Sequence, residues 1–554
     1  MKTKNIVYAL IILLLTSGCS DFLNENNKGG ITSDDFYKTE EGYITLITAT
    51  YNSLRSVYGT KPWLFVAGTD MIQESHRYDH RGIQAYQELT AEDPDVTEFY
   101  TRCYQGIQKA NAALHYAATT EVEPNKLSVL VGEMRFIRAF YHFLLLEQFG
   151  GVCINQEMTL TPRVDMPRAS LEETFTFVIS ELEGIVGSVQ ENANPKGRVD
   201  RNVVLHFLAK AYLTRGWDLG NPDDFTTAAR YAEEVLAGKS LHLTFDQVWS
   251  PHNENNEEIL WAVQYDVSSM PNVRNDGNVQ FSLFGPYLEG QEDNLKYSST
   301  DLYPTWYLHS WYGEDDARYD GTFMRTIYLK GYHFVYTKTP EELAQTNIQH
   351  YYPRKWDGEW TDEDTEVWRN EDLEHRVETK VHAHPADPSG WDVLQGAFCP
   401  IIRKFDDPKQ LDWIGTCSSR DVVVARLAET YFLAAEAYLK SNQPQKATEK
   451  INAVLSRPGN SKSGKGLPLL NESDITLDRL LEETAKELAG EYLRWPELRR
   501  TKMLKERCMK YNPDVMLIGP DAFKGIDGRD KIYRPIPQKA FDLNRAEIEQ
   551  NPGY

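Results

Sequence analysis

A hydrophobic period of 3.6 residues returns again and again along this chain, and it limits the possible folds more than any other feature. Ile137, Phe140, Tyr141, Leu144 and Leu145 occupy positions i, i+3, i+4, i+7 and i+8 of one stretch, which runs into Gly150-Gly151. Apolar residues at this spacing form one stripe on a helix, and the stripe must be buried against a neighbour. Val204, Phe207, Leu208, Ala211 and Tyr212 repeat the pattern and stop at Gly216, with a shorter partner from Phe225 to Leu236 closed by Gly238. Val424, Leu427, Ala428, Tyr431, Phe432 and Ala435 repeat it again, followed by a partner from Gln445 to Leu455. Leu477, Leu480, Leu481, Thr484, Ala485 and Leu488 make one more helix. The chain is therefore expected to be mostly α.

Small residues sit inside two of these helix–turn–helix units. Ala209 and Ala211 face Ala228, Ala229 and Ala232 in one; Ala434, Ala435 and Ala437 face Ala447 in the other. Small side chains let two helices approach closely, and a pair spanning roughly 34 residues has the dimensions of a tetratricopeptide unit. The full consensus of that repeat is absent, and an ordinary bundle would share the same core. Between about 240 and 420 the periodicity weakens and Gly, Pro, Asn, Asp and aromatics crowd together. Glu258 to Tyr265 predicts a strand or buried extended segment. Residues 266–300 and 331–397 are long, polar and irregular, and stretches of that kind are usually functional or disordered.

The N-terminus carries Lys2 and Lys4, then an almost unbroken apolar run from Ile6 to Leu15, then Thr16-Ser17-Gly18-Cys19. The run is too short for a spanning helix of ~20 residues and has the layout of an export signal. Small residues closing on a cysteine resemble a bacterial lipoprotein signal, in which Cys19 is acylated and becomes the new N-terminus. The usual leucine three residues before the cysteine is replaced by Thr16, with Leu15 one place earlier. Residues 1–18 are then the signal peptide and 19–33, rich in Asn and Gly, a flexible tether. Removing the signal takes away two lysines and moves the formal charge from −23 to −25. Such a chain is not expected to bind nucleic acid, where affinity rests on Lys and Arg neutralising phosphates. Cys103, Cys153, Cys399, Cys417 and Cys508 are scattered and odd in number, which is neither a disulfide framework nor a zinc pattern.

Several segments together resemble the SusD/RagB family of outer-membrane lipoproteins. They are Gly197-Arg198-Val199-Asp200-Arg201 and Asn256-Glu257-Glu258-Ile259, then Asp316-Ala317-Arg318, then Arg426-Leu427-Ala428-Glu429 followed by Ala434-Ala435-Glu436-Ala437. The ending contains Pro535-Ile536-Pro537 and Gln550-Asn551-Pro552-Gly553-Tyr554. One departure is Pro496, which is expected to bend a helix locally. The resemblance implies a scaffold of four TPR-like helix pairs with loop-rich segments packed on one side. That gives an N-terminal helical part over 34–240 and a C-terminal part over 241–554, the latter including loop-rich 266–420 and helical 421–510. It also implies a position on the outer face of the outer membrane, anchored by lipid and capping a SusC-like TonB-dependent transporter. The implied ligand is an oligosaccharide passed on without chemical change. The competing readings are a protein- or peptide-binding scaffold and a surface glycosidase.

A sugar site needs flat aromatic platforms and a few polar groups for hydroxyls. Two stretches fit. The first, Trp63 to Tyr78, offers Trp63, Asp70, Glu74, His76, Arg77 and Tyr78. The second, Asn272 to Tyr297, offers Arg274, Asn275, Asp276, Asn278, Phe281, Phe284 and Tyr287. The family's ligand contacts tend to come from these parts of the chain, and the expected contacts are Trp63, Asp70, Arg77, Tyr78, Arg274, Asn275, Phe284 and Tyr287. Trp306 and Trp311 are expected in the core. Trp356, Trp360, Trp368 and Trp391 form either a second platform or clamps for their loop. His382-Ala383-His384 reads as a solvated loop rather than a metal pair. Arg494, Arg499, Arg500, Lys502, Lys505 and Arg507 read as a solvated basic helix face. No GxSxG, HExxH, P-loop or dinucleotide fingerprint is present; no enzyme activity, cofactor or metal is expected. Cys19→Ala should leave the protein unprocessed or release it from membranes, which fractionation of cells expressing the variant would show.

Overall fold

The structure is a computed structural model that describes residues 32–60, 62–74, 81–270, 276–285, 301–329, 338–358, 360–382, 400–407 and 417–554. Its frame is a series of helices: α1 (Glu40–Asn52), α2 (Pro94–Tyr116), α3 (Pro124–Phe149), α4 (Leu171–Glu183), α5 (Arg201–Leu219), α6 (Pro222–Leu236), α7 (Leu427–Lys440), α8 (Pro444–Leu455) and α9 (Leu477–Glu487). Four of them open on proline: Pro94, Pro124, Pro222 and Pro444. Proline lacks an N–H that the first turn does not use, so it starts a helix at no hydrogen-bond cost. In three of these the preceding residue, Asp93, Glu123 or Asn221, caps the exposed N–H groups with its side chain. Helix α4 starts with a reciprocal capping box between Ser170 and Glu173.

Helices α1 to α8 pack each on the next. Between α6 and α7 the chain leaves this array and returns, and the join is made by two strands, β2 (Ile259–Val263) and β9 (Val422–Arg426). They pair antiparallel with Ile259 opposite Arg426 and Val263 opposite Val422. The expected strand at 258–265 is therefore present, while Val424 lies in β9 and not in the helix that its spacing suggests. Backbone pairing with β2 outweighs the helical spacing there, and α7 begins only at Leu427. Trp261 of β2 is buried against the edges of Phe136 and Phe140, with ring centres 5.3 and 5.0 Å apart. Its indole donates to the Gly197 carbonyl at 3.0 Å. Gly197 has φ +86°, and a Cβ there would lie 2.2 Å from the Gln264 side chain, so glycine is required.

Two other expected boundaries shift. Helix α5 does not stop at Gly216 but runs to Leu219 and ends on Gly220 in the left-handed conformation. Gly216 is small for another reason: a Cβ would come within 2.9 Å of the Phe225 ring on α6. Pro496 bends nothing, because it falls in the first turn of a new helix, α10 (Arg494–Arg500), after a turn at Gly490. A further helix, α11, spans Leu504–Tyr511.

Among the described residues, the inserted region contributes strands to three further small sheets. Strand β1 (Ile72–Glu74) pairs with β3 (Leu302–Pro304), and β4 (Phe323–Met324) pairs with β8 (Ile401–Ile402). Strand β6 (Ile348–Tyr351) lies between β5 (Thr326–Tyr328) and β7 (Lys380–Val381). Among the described residues no helix is long and apolar enough to cross a membrane. Cys103, Cys417 and Cys508 are buried free thiols, Cys153 is half-buried and also free, and Cys399 lies outside the described residues.

The chain end is fastened to α3. Asn551 donates to the carbonyls of Phe149 and Arg534 at 2.9 and 2.7 Å, and the Gln550 side chain bonds both backbone groups of Ile536. Ala434, Ala435 and Ala437 are fully buried on α7, which touches both α6 and α8. Ala435→Trp should therefore overpack this contact and destabilise the fold by about 1–3 kcal/mol or more, read as a lowered melting temperature.

Candidate ligand-binding site

The first nominated stretch contains a strand that pairs with the segment beyond the end of the second. Strand β1 pairs antiparallel with β3, with Glu74 opposite Leu302 and Ile72 opposite Pro304. Strand β8, which follows residues 383–399, also packs against β3. Arg77, Tyr78, Arg274, Asn275, Tyr287, Trp391 and His384 lie outside the described residues.

Three of the expected contact residues are structural instead. Trp63 opens a short helix, Trp63–Val66, and is buried in the main core, 6% exposed. Phe284 is fully buried, 5.3 Å from the Phe405 ring. Neither ring has a free face for a sugar. Phe281 and Asn278 are buried as well; Asn278 donates to the Arg420 carbonyl at 2.6 Å. Asp70 has no exposure at all and receives Arg494 through both oxygens, at 2.7 and 2.6 Å, and Arg507 at 2.6 Å. Burial alone would raise its pKa, and the two guanidiniums more than reverse that, holding the carboxyl below its ordinary range.

This corrects the reading of the basic run at 494–507. Arg494, Arg499, Arg500 and Arg507 are all buried and ion-paired: Arg499 with Asp218 at 2.9 Å, Arg500 with Glu436 at 2.8 Å, Arg494 and Arg507 with Asp70. Their acids lie on distant parts of the sequence, so a local charge count makes the run look solvated. Among the six, Lys502 is exposed and Lys505 half-buried on Asp530.

Asp70 nevertheless shapes the surface. The Arg507 it holds lies 5.2 Å from the Trp311 ring centre and 4.9 Å from that of Tyr511. Thr305 donates through its backbone to the Met71 carbonyl and through its hydroxyl to the Asp70 carbonyl, and its hydroxyl caps the short helix Trp306–Ser310. Asn512 bonds the carbonyls of Thr69 and Ile72. Together these contacts fix a strip of half-buried rings beside β1 and β3: Trp306, Tyr307, Tyr511 and Trp311. Successive centres are 5.2, 5.3 and 5.2 Å apart, all edge to face. Trp306 and Trp311, expected in the core, thus remain accessible. The cluster Trp306-Tyr307 with Trp311-Tyr312 is visible in the sequence; Tyr511 has no local signal because it arrives from 200 residues away.

Trp356, Trp360 and Trp368 pack against neighbouring rings of their own region. Trp356 packs on Tyr319 with Arg354 and Lys462 over its ring. Trp360 and Trp368 gather around Tyr351, Trp368 stacking on it at 4.4 Å with Arg376 4.5 Å from its centre. His382 pairs with His350 at 2.8 Å, and burial, helped by the positive charge of Lys380, pushes both imidazoles down to about 4. Among the described residues no group of three His, Cys, Asp or Glu could hold a metal ion.

Two family models match the chain. The SusD family model covers residues 257–554, and the model described as starch-binding associating with outer membrane covers 21–213. A SusD-like protein P2 of Formosa agariphila is 23% identical over the whole of both chains. Among solved structures, a laminarin-binding SusD-like protein is 20% identical and superposes over 94% of this chain and all of its own, with a TM-score of 0.67. A SusD homolog from Bacteroides thetaiotaomicron gives 0.71 at 18% identity, covering 94% of this chain and 98% of its own. The helix-pair scaffold with its loop-rich insertion is the fold of that group. This chain belongs to the SusD family.

Asp70→Ala would take away the fully buried carboxylate that two guanidiniums share, leaving Arg494 only Glu497 and Arg507 only the half-exposed Asp478, and should cost about 3–5 kcal/mol of stability. Chemical denaturation of the variant checks this.

Proposed function

We propose that this protein is a cell-surface glycan-binding lipoprotein that captures oligosaccharides and delivers them unchanged to a SusC-like TonB-dependent transporter. A lipid on Cys19 holds it to the outer membrane, facing outward. The strip Trp306, Tyr307, Tyr511 and Trp311 carries the reading. Four accessible rings in a row suit the apolar faces of pyranose units, and Lys510 and Asp478, next to Tyr511 and Arg507, supply polar groups at its edge. Family membership and the laminarin-binding relative support the same ligand class. The nominated residues Arg77, Tyr78, Arg274, Asn275 and Tyr287 remain candidate contacts from the stretches that flank β1 and β3.

Affinity should be micromolar to millimolar, since a carrier must release its cargo and affinity differences reside mainly in the off-rate. Neutral sugars displace no counter-ions, so binding should change little with salt. Trp311→Ala and Tyr511→Ala should each weaken binding by about 1–3 kcal/mol, by analogy with ring stacking on nucleobases. Titration calorimetry against a panel of neutral oligosaccharides, with circular dichroism as the folding control, provides the test. Wild-type affinity in both variants would remove the strip from the site. Turnover of the glycan would point to a glycosidase, and binding of peptides alone to a scaffold.

A further inference from the structure

A second concave site shares no residue with the aromatic strip. It is an open groove of about 630 Å³, within the ~300–1,000 Å³ range of small-molecule sites. Three distant pieces of chain build it: one face of α2, the loop that follows Cys153, and the segment from Pro537 to Ile548. Side chains lock these pieces together. Gln108 on α2 bonds both backbone groups of Thr159, at 3.3 and 3.1 Å, and the Tyr104 hydroxyl donates to the Cys153 carbonyl at 2.8 Å. Asn544 makes the same two-way contact with Met166, at 3.1 and 2.6 Å. The walls are thus fixed before a ligand arrives, which lowers the ordering cost of binding.

Charge is the informative property of this groove. The chain has 82 acidic and 59 basic side chains, yet no Asp or Glu lines the groove. Two cations do: Arg163 from the loop wall and Lys539 from the C-terminal wall. Both are exposed, and neither makes an ion pair among the described residues. Nearby Asp542 accepts a hydrogen bond from Gln538 instead. On the α2 face of the same groove, Tyr100 and Tyr104 present half-buried rings 4.8 Å apart, Tyr100 being backed edge-on by Phe149 at 5.2 Å. Gln105 and Asn155 add neutral amides to the lining.

We infer that this groove is a second saccharide site, selective for sugar units that carry a carboxylate or a sulfate. The tyrosine rings and amides meet ring faces and hydroxyls. Arg163 and Lys539 meet the anionic group, and the lack of lining carboxylates lessens the local repulsion that a chain of charge −23 would otherwise exert there. The inference does not depend on the strip binding neutral glycans.

The test is calorimetric titration of the mature protein with three probes: a galacturonic acid trimer, a sulfated galactose oligomer and a neutral galactose oligomer. Arg163→Gln and Lys539→Gln lie at exposed positions and should fold normally. At least one acidic probe should bind, weaken as salt rises, and lose about tenfold in affinity in each variant, the scale of a hydrogen bond to a charged group. Trp311→Ala should leave that binding unchanged, which separates this site from the strip. Failure of both acidic probes to bind would overturn the inference, as would acidic binding indifferent to both variants, or equal affinity for the neutral oligomer in the Trp311→Ala protein.

Discussion

Glu487 is the point on which the inserted region and the helical array depend together. It sits at the end of α9 with no exposure, and three arginines from three parts of the chain converge on it. Arg426 closes β9 and reaches it at 3.1 Å; Arg457, after α8, and Arg318, in the insertion, both reach it at 3.4 Å. Burial would raise the carboxyl's pKa; the surrounding cations bring it down to about 2. A buried charge of either sign is costly alone, so each member holds the others in place. Arg318 is also gripped by both oxygens of Asp316, Arg426 by Glu491, and Arg457 by Glu258.

That network explains the family segments physically. Asp316-x-Arg318, Arg426 of Arg-Leu-Ala-Glu and Glu258 are its components, not ligand contacts. Glu429 of the same segment is buried with Lys210 at 3.0 Å and His206 at 3.2 Å, which ties α7 to α5. Arg198 pairs with Glu133 at 2.5 Å and so fixes the turn before α5 to α3. A second buried network around Asp70 fixes the surface. It joins the segment before β1 to α10 and α11, and Arg507 transmits that rigidity to Trp311 and Tyr511. The acidic and basic side chains that composition suggests are on the surface thus include many that hold the interior together.

The helices were legible because an amphipathic stripe is a local pattern, and the start of most helices is marked by a local cap or proline. The misread boundaries share a cause. Val424 has helical spacing but pairs with β2, more than 150 residues earlier. Gly216 looks like a terminator but is small because Phe225 lies across from it. Trp63 and Phe284 look like loop aromatics, yet each falls on a short helix whose side faces the core. In every instance the deciding neighbour is remote in sequence.

The sequence by itself determined the helical pairs, the extended segment that forms β2, the acidic balance and the family. Each rests on periodicity, composition or an ordered set of short segments, all of which are properties of the chain read in one direction. Only the tertiary structure decided that Asp70 is a buried counter-ion, that the 494–507 arginines face inward, and that Trp306, Tyr307, Trp311 and Tyr511 form one strip. It alone assembled a groove free of carboxylates from α2, a loop and the C-terminal segment. Ion pairing, ring contact and the sign of a local field depend on distances of a few ångströms, and those distances are set between residues as far apart as Asp70 and Arg507.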